Sequence, residues 1–162
     1  MLTIHRNAEL NELLVLLGRS LLQYVGESWP WAGPDEEDVQ RAVDALAARQ
    51  REHEAQIAAL LAERDWNIDF GTYPTEFTDL HYVALDYLLA ELVAHEGGMT
   101  REIEALARRC ADDAEAAPLA ERVLADHRDE VRQLETLVRA HPQPGANGGT
   151  AARAGAGTSP AA

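Results

Sequence analysis

Apolar residues recur along this chain at three- and four-residue steps, the signature of one buried face of an α-helix. Leu10, Leu13, Leu14, Leu17, Leu21, Tyr24 and Val25 form the first stripe, which predicts a helix from about Thr3 to Ser28. The segment "SWPWAGPDEED" ends it, because Pro30 and Pro34 interrupt the backbone pattern and Gly33 allows a tight turn. The acidic run from Asp35 to Asp38 suits the positive end of the next helix dipole. That second helix is predicted from Asp35 to Asp65, with Val39, Val43, Leu46, Gln50, His53, Ile57, Leu60 and Leu61 on its stripe. Gln50 and His53 are a polar pair in the middle of an apolar face.

A connector follows in which Trp66, Phe70, Tyr73 and Phe77 surround Gly71 and Pro74. Pro74 suits the first turn of a third helix, predicted to continue through Gly97 and Gly98 to about Cys110. Between Leu80 and Ala94 only His81, Asp86 and Glu91 interrupt apolar residues, and a helix apolar nearly all round is expected to be covered on more than one side. The last helix is predicted from Pro118 to Ala140, along Leu119, Val123, His127 or Glu130, Val131, Leu134 and Val138. Four such helices read as an all-α, antiparallel up-down-up-down four-helix bundle over residues 1–141. In that bundle the connector aromatics plug one open end, and Trp29 with Trp31 plugs the other. Residues 142–162, rich in Gly, Ala and Pro, lack large apolar side chains and are expected to be a disordered tail.

Charge narrows the function classes. The formal net charge of −14 opposes binding to a phosphate backbone or an anionic membrane. No stretch reaches the roughly 20 apolar residues of a membrane span, and the acidic start does not resemble a secretory signal. A cytoplasmic protein is expected. The single cysteine, Cys110, has no intramolecular partner and reads as an inert thiol. Asp69-Phe70-Gly71 spells a kinase triplet but lacks every other element of that site, and no nucleophile elbow or phosphate-binding loop is present.

A helical bundle raises the question of a di-metal carboxylate centre, in which two helices each give a Glu and the other two each give a Glu-x-x-His pair. No Glu-x-x-His occurs; the nearest patterns are Glu91-x-x-x-His95 and a reversed His127-x-x-Glu130. If the second and third helices turn about residue 69, His53 falls level with Asp86 and His95 level with Asp44; with a turn near residue 115, His127 falls level with about Ile103. His53 and His95 are then about 13 Å apart along the axis, and the histidines do not meet.

In architecture the chain resembles the ferritin-like superfamily. "RSLLQYVGESWPW" (Arg19–Trp31) and "EFTDLHYVALDYLL" (Glu76–Leu89) resemble small, uncharacterised helical-bundle proteins of planctomycete-type bacteria, over roughly residues 1–141. That resemblance implies no activity, and without Glu-x-x-His it does not transfer iron oxidation. The expectation is therefore a non-enzymatic structural or protein-interaction module with no cofactor. It is expected to act as a homodimer through Tyr82, Val83, Asp86, Tyr87 and Val93 on the third helix. The alternative is a divergent ferritin-like metal protein binding iron or manganese through His53, Glu91, His95 and His127. A third reading is a small-ligand pocket under the aromatic plug.

Overall fold

The computed structural model describes residues 2–29, 33–81 and 83–141. Among the described residues five α-helices form: α1 (Asn7–Gly18), α2 (Leu21–Glu27), α3 (Glu37–Glu63), α4 (Leu85–Arg109) and α5 (Ala116–Ala140). The first predicted helix is thus two successive pieces. Ser20 leaves the helical region with ψ 160°, and its hydroxyl accepts from the Gln23 N–H, capping α2. α4 runs unbroken through Gly97 and Gly98 but starts at Leu85, eleven residues after Pro74. Thr75–Leu80 is instead a 3-10 helix. Its three-residue period puts Phe77 and Leu80 in line, and both pack, with Val83, on the bundle's own core. The apolar run from Leu80 to Ala94 is therefore divided: its first residues belong to a strap folded back on the protein, and the rest opens α4.

Two apolar clusters define the helix directions. One joins Leu10, Leu13 and Leu14 of α1 to Ile57 and Leu61 of α3, Ile103 and Leu106 of α4, and Leu119 and Val123 of α5. The other joins Leu22 and Val25 of α2 to Val39 and Val43 of α3, Leu88 and Leu92 of α4, and Leu134 of α5. The late residues of α3 share a cluster with the late residues of α4, so these two helices run the same way. The all-helical four-helix bundle stands, with α1–α2 acting as one rod; the order is up-down-down-up rather than strictly alternating. Parallel neighbours require a crossover as long as the bundle.

Residues 64–84 are that crossover. Asn11 and Asp69 exchange side-chain-to-backbone hydrogen bonds at 2.9 Å in both directions, and Arg19 Nε donates to the carbonyl of Phe70 at 3.0 Å. Tyr73 and Phe77 then stack on Tyr24 with ring centroids 5.2 and 5.5 Å apart. The aromatics line a strap along α1 and α2 and do not plug an end; Trp66 and Phe70 are 40% and 48% exposed. Trp29 packs on the second cluster, whereas Trp31 and residues 142–162 lie outside the described residues. Cys110 is fully buried, which pushes its thiol up to about 11, as an inert thiol requires.

The end of the first cluster is closed by charge. Arg64, just past α3, makes two 2.8 Å bonds to the two oxygens of Asp113 and one to Glu115. Asp113 also accepts from the backbone N–H of Arg6 and Ala116, at 2.7 and 3.0 Å.

Candidate metal centre

Between the two apolar clusters lies a buried polar layer. α2 and its cap contribute Ser20 and Gln23, α3 contributes Gln50 and His53, α4 contributes Glu96, and α5 contributes His127 and Glu130; all are buried. Each helical member projects inward because it sits on its helix's apolar stripe. Glu96 lies in line with Leu92, Met99 and Ile103, and His127 with Val123, Glu130 and Leu134.

The half of the layer facing α2 and α3 is closed by neutral hydrogen bonds. Gln50 Oε1 accepts from the Ser20 hydroxyl at 2.8 Å and from Gln23 Nε2 at 3.1 Å, and Gln23 Nε2 also donates to the carbonyl of Ala47 at 2.7 Å. Gln50 Nε2 in turn donates to Glu96 Oε2 at 2.8 Å. The break before α2 has a consequence here: it frees the Leu22 N–H, which donates to Glu96 Oε1 at 3.2 Å.

The half facing α4 and α5 is different. His127 Nε2 lies 2.7 Å from the backbone carbonyl of Glu96, while its Nδ1 lies 4.0 Å from Glu96 Oε2 and 3.7 Å from Glu130 Oε2. These are close charge pairs and not hydrogen bonds. His127 Nδ1 and both oxygens of Glu130 are buried with no hydrogen-bond partner. Burial alone disfavours a charged His127, but the Glu130 and Glu96 carboxylates outweigh it and raise its pKa above the ordinary imidazole value. His95 Nδ1, also buried and without a hydrogen bond, stands 3.5 Å from Glu96 Oε1.

The structure sorts the sequence-predicted residues. His95 and His127, expected in separate layers, both face Glu96, because α4 ends at Arg109 and α5 starts at Ala116, so the turn between them falls earlier than residue 115 and brings His127 toward the level of His95. His53 stands at the edge of this layer, with Nε2 2.7 Å from Asp126 Oδ2 and a buried Nδ1 that has no hydrogen-bond partner. Glu91 lies away from the layer, in a surface groove with His95. Of the expected interface residues, Val83 and Val93 pack partly buried on the chain's own core, Asp86 is half-buried, Tyr87 is 45% exposed, and Tyr82 lies outside the described residues. Sequence reasoning missed Ser20, Gln23 and Glu96. It also passed over Gln50-x-x-His53, which has the spacing of Glu-x-x-His with an amide in place of the acid.

One other set of acidic and histidine side chains invites comparison. Among the described residues, His5, Asp113 and Glu115 bring ligand atoms within 4.8 Å of one another. Arg64 already lies against both of those carboxylates, so a cation's place there is taken by a guanidinium.

A di-metal centre does not fit the central layer. Such a centre uses four carboxylates, and among the described residues this layer has Glu96 and Glu130 alone, with amides at Gln23 and Gln50. A single ion fits better: two buried carboxylates carry the charge of one divalent cation, and the unpartnered atoms of Glu130 and His127 lack the neighbour it would supply. Among the described residues no helix is long and apolar enough to cross a membrane. No curated protein and no solved structure matches the chain. The model of the ferritin-like domain matches residues 7–142, the whole of the bundle described above, and the chain belongs to that family.

Proposed function

We propose that this protein is a divergent ferritin-like metal protein that holds one divalent transition-metal ion, iron or manganese, between α4 and α5. Glu96, Glu130 and His127 are the ligands, with His95 beside them. The observation that carries this reading is Glu130: a carboxylate 1% exposed whose two oxygens have no hydrogen-bond partner. Burying such a group costs several kcal/mol unless a cation lies against it. Mixed imidazole and carboxylate donors suit iron and manganese. The hydrogen bond from His127 Nε2–H to the Glu96 carbonyl is the outer contact that orients a ligating histidine. A bound iron or manganese ion supplies one-electron chemistry; the chain supplies a dry site, a fixed tautomer and charge balance.

Metal analysis of reconstituted full-length protein tests this. About one equivalent of bound ion is expected in the wild type and a loss of most of it in Glu130→Gln, on the logic of a site built from two acids. Less than about 0.1 equivalent in the wild type overturns the reading.

A second reading, a non-enzymatic interaction module that dimerises, rests on Tyr87, a large side chain 45% exposed in the first turn of α4. Light scattering of the wild type and of Tyr87→Glu separates the two: a monomer at micromolar concentration ends the dimer reading and leaves the metal reading untouched. The resemblance of Arg19–Trp31 and Glu76–Leu89 to uncharacterised bundle proteins brings no activity to either reading.

A further inference from the structure

A groove of about 370 Å³ opens between the crossover strap and α4, bounded by Leu21, Phe77, Leu80, Glu91, Ala94 and His95, with Glu76 at its rim. Its floor adjoins the polar layer. Leu21 precedes Leu22, whose N–H holds Glu96 Oε1. His95 belongs to both places at once: its ring lines the groove, its side chain is 32% exposed, and its buried Nδ1 stands 3.5 Å from that same Glu96 oxygen. The Phe77 ring packs edge-on against the imidazole at 5.2 Å and fixes its plane. The groove also carries the two carboxylates Glu76 and Glu91, neither in an ion pair among the described residues.

We infer that this groove is the route by which a hydrated divalent cation reaches the buried site, an inference that rests on the metal reading above. A cation with six waters occupies roughly 200 Å³ at about 30 Å³ per water, so the groove accommodates it before any water is shed. Glu76 and Glu91 concentrate cations at the mouth. His95 is the first imidazole beyond them, and it replaces water on the ion at the point where the environment turns apolar. From there Glu96 is the next ligand inward, followed by His127 and Glu130. The opposite side offers no such path, since Ser20, Gln23 and Gln50 close it with hydrogen bonds to one another and to Glu96.

The test follows uptake and release of Co²⁺ by visible absorbance in stopped flow, using the full-length chain. Ala94→Trp fills the groove from an exposed helical position and leaves every ligand in place. It is expected to slow uptake and release by the same factor, with stoichiometry and Kd unchanged, since an access route alters both directions equally. Glu76→Gln with Glu91→Gln is expected to slow uptake about tenfold at low salt, and less at high salt, as loss of a focusing field does. Ala45→Trp, in a different groove between α3 and α5, is the control and is expected to change neither rate. Wild-type rates in Ala94→Trp, with helical content intact, overturn the route while leaving the site standing. A wild-type chain that takes up no Co²⁺ overturns the site and the route together.

Discussion

His127 Nε2 stands 2.7 Å from the backbone carbonyl oxygen of Glu96, and because a carbonyl only accepts, that nitrogen carries a proton. Nδ1 is thereby turned to the carboxylates of Glu96 and Glu130. It meets them either with a free lone pair, as a metal ligand, or with a second proton, as an imidazolium that balances part of their charge. The same geometry suits both states, so the proposed metal-bound form would need no change of fold from the metal-free one, only a different cation between the acids.

This predicts opposite behaviour for the two members of the pair in the presence of a chelator. His127→Leu removes the imidazole that faces two buried carboxylates and is expected to cost about 3–5 kcal/mol. Glu130→Gln leaves His127 facing the Glu96 carboxylate, so no buried charge is stranded, and it is expected to change stability by no more than about 1 kcal/mol. With excess Mn²⁺ the wild type should gain stability, by about 2.7 kcal/mol at a hundredfold excess over Kd, and Glu130→Gln should gain almost none. Urea unfolding under both conditions measures all of these quantities. A Glu130→Gln chain that gains as much from Mn²⁺ as the wild type removes Glu130 from the site.

Gln50 predicts a change in the number of ions held. Its Nε2 donates to Glu96 Oε2, and its Oε1 accepts from Ser20 and Gln23. Gln50→Glu turns the contact with Glu96 into a repulsion, and it also completes a Glu-x-x-His pair on α3 that ends at His53. In chelator the variant is expected to lose about 2 kcal/mol, the scale of a buried acceptor left facing an acceptor. In metal it is expected to bind a second equivalent, recovering that loss. Metal analysis and thermal unfolding read the two effects; a variant destabilised in both conditions, still with one equivalent, shows that His53 stays committed to Asp126.

The residues show why the fold was legible and the site only partly. Apolar stripes at helical period placed the helices and the buried Gln50, His53, His127 and Glu130. They say nothing about direction, because a stripe is the same read up or down. The direction of α4 is settled by the 64–84 segment, whose length suits a crossover but whose Pro74 resembles a helix start. Strict alternation then put Gln50 and His53 at the wrong heights against α4, and a turn placed near residue 115 put His127 too far from His95. Glu96 was missed for a different reason. A search for Glu-x-x-His looks for paired spacing, whereas Glu96 acts singly, as an acid at a position where Leu92, Met99 and Ile103 require burial. The break at Ser20 has no periodic signature, since the stripe continues in phase across it.

Asp113 predicts how the bundle responds to acid. Burial works against its charge, but the Arg64 guanidinium and the N–H groups of Arg6, Ala116 and Glu115 outweigh it and hold the carboxyl well below the usual carboxylate range. A depressed pKa means that its stabilising contribution is complete above the unfolded value of about 4 and is lost as pH falls below it. Asp113→Asn is therefore expected to destabilise the protein at pH 7 and to flatten the decline of stability below pH 4, where the wild type loses the same interaction by protonation. Arg64, whose side chain is 6% exposed, keeps Glu115 and Asn7 as partners, so the loss should stay near the lower end of about 3–5 kcal/mol for a broken buried pair. Denaturant midpoints from pH 2 to 7 measure it, and parallel curves for the two proteins speak against Asp113 as the acid-sensitive group.

Gly71 predicts how the crossover is held. Its φ of +64° lies in the left-handed region, and a Cβ there would meet Val15 Cγ1 at 2.7 Å. Two separate costs follow for Gly71→Ala: the backbone conformation, about 1 kcal/mol, and the contact with α1, about 1–3 kcal/mol for overpacking. Val15→Ala in the same chain removes the contact and leaves the backbone cost. The double variant should therefore recover part of the loss relative to the sum of the single changes, a coupling that denaturant unfolding resolves. Because Arg19 Nε donates to the carbonyls of Phe70 and Gly71 at 3.0 and 3.2 Å, a shifted Gly71 also loosens the strap that bears Phe77 against His95. Gly71→Ala should thus speed Co²⁺ uptake through the groove even where the bundle remains folded, and an unchanged uptake rate would confine Gly71 to a purely structural role.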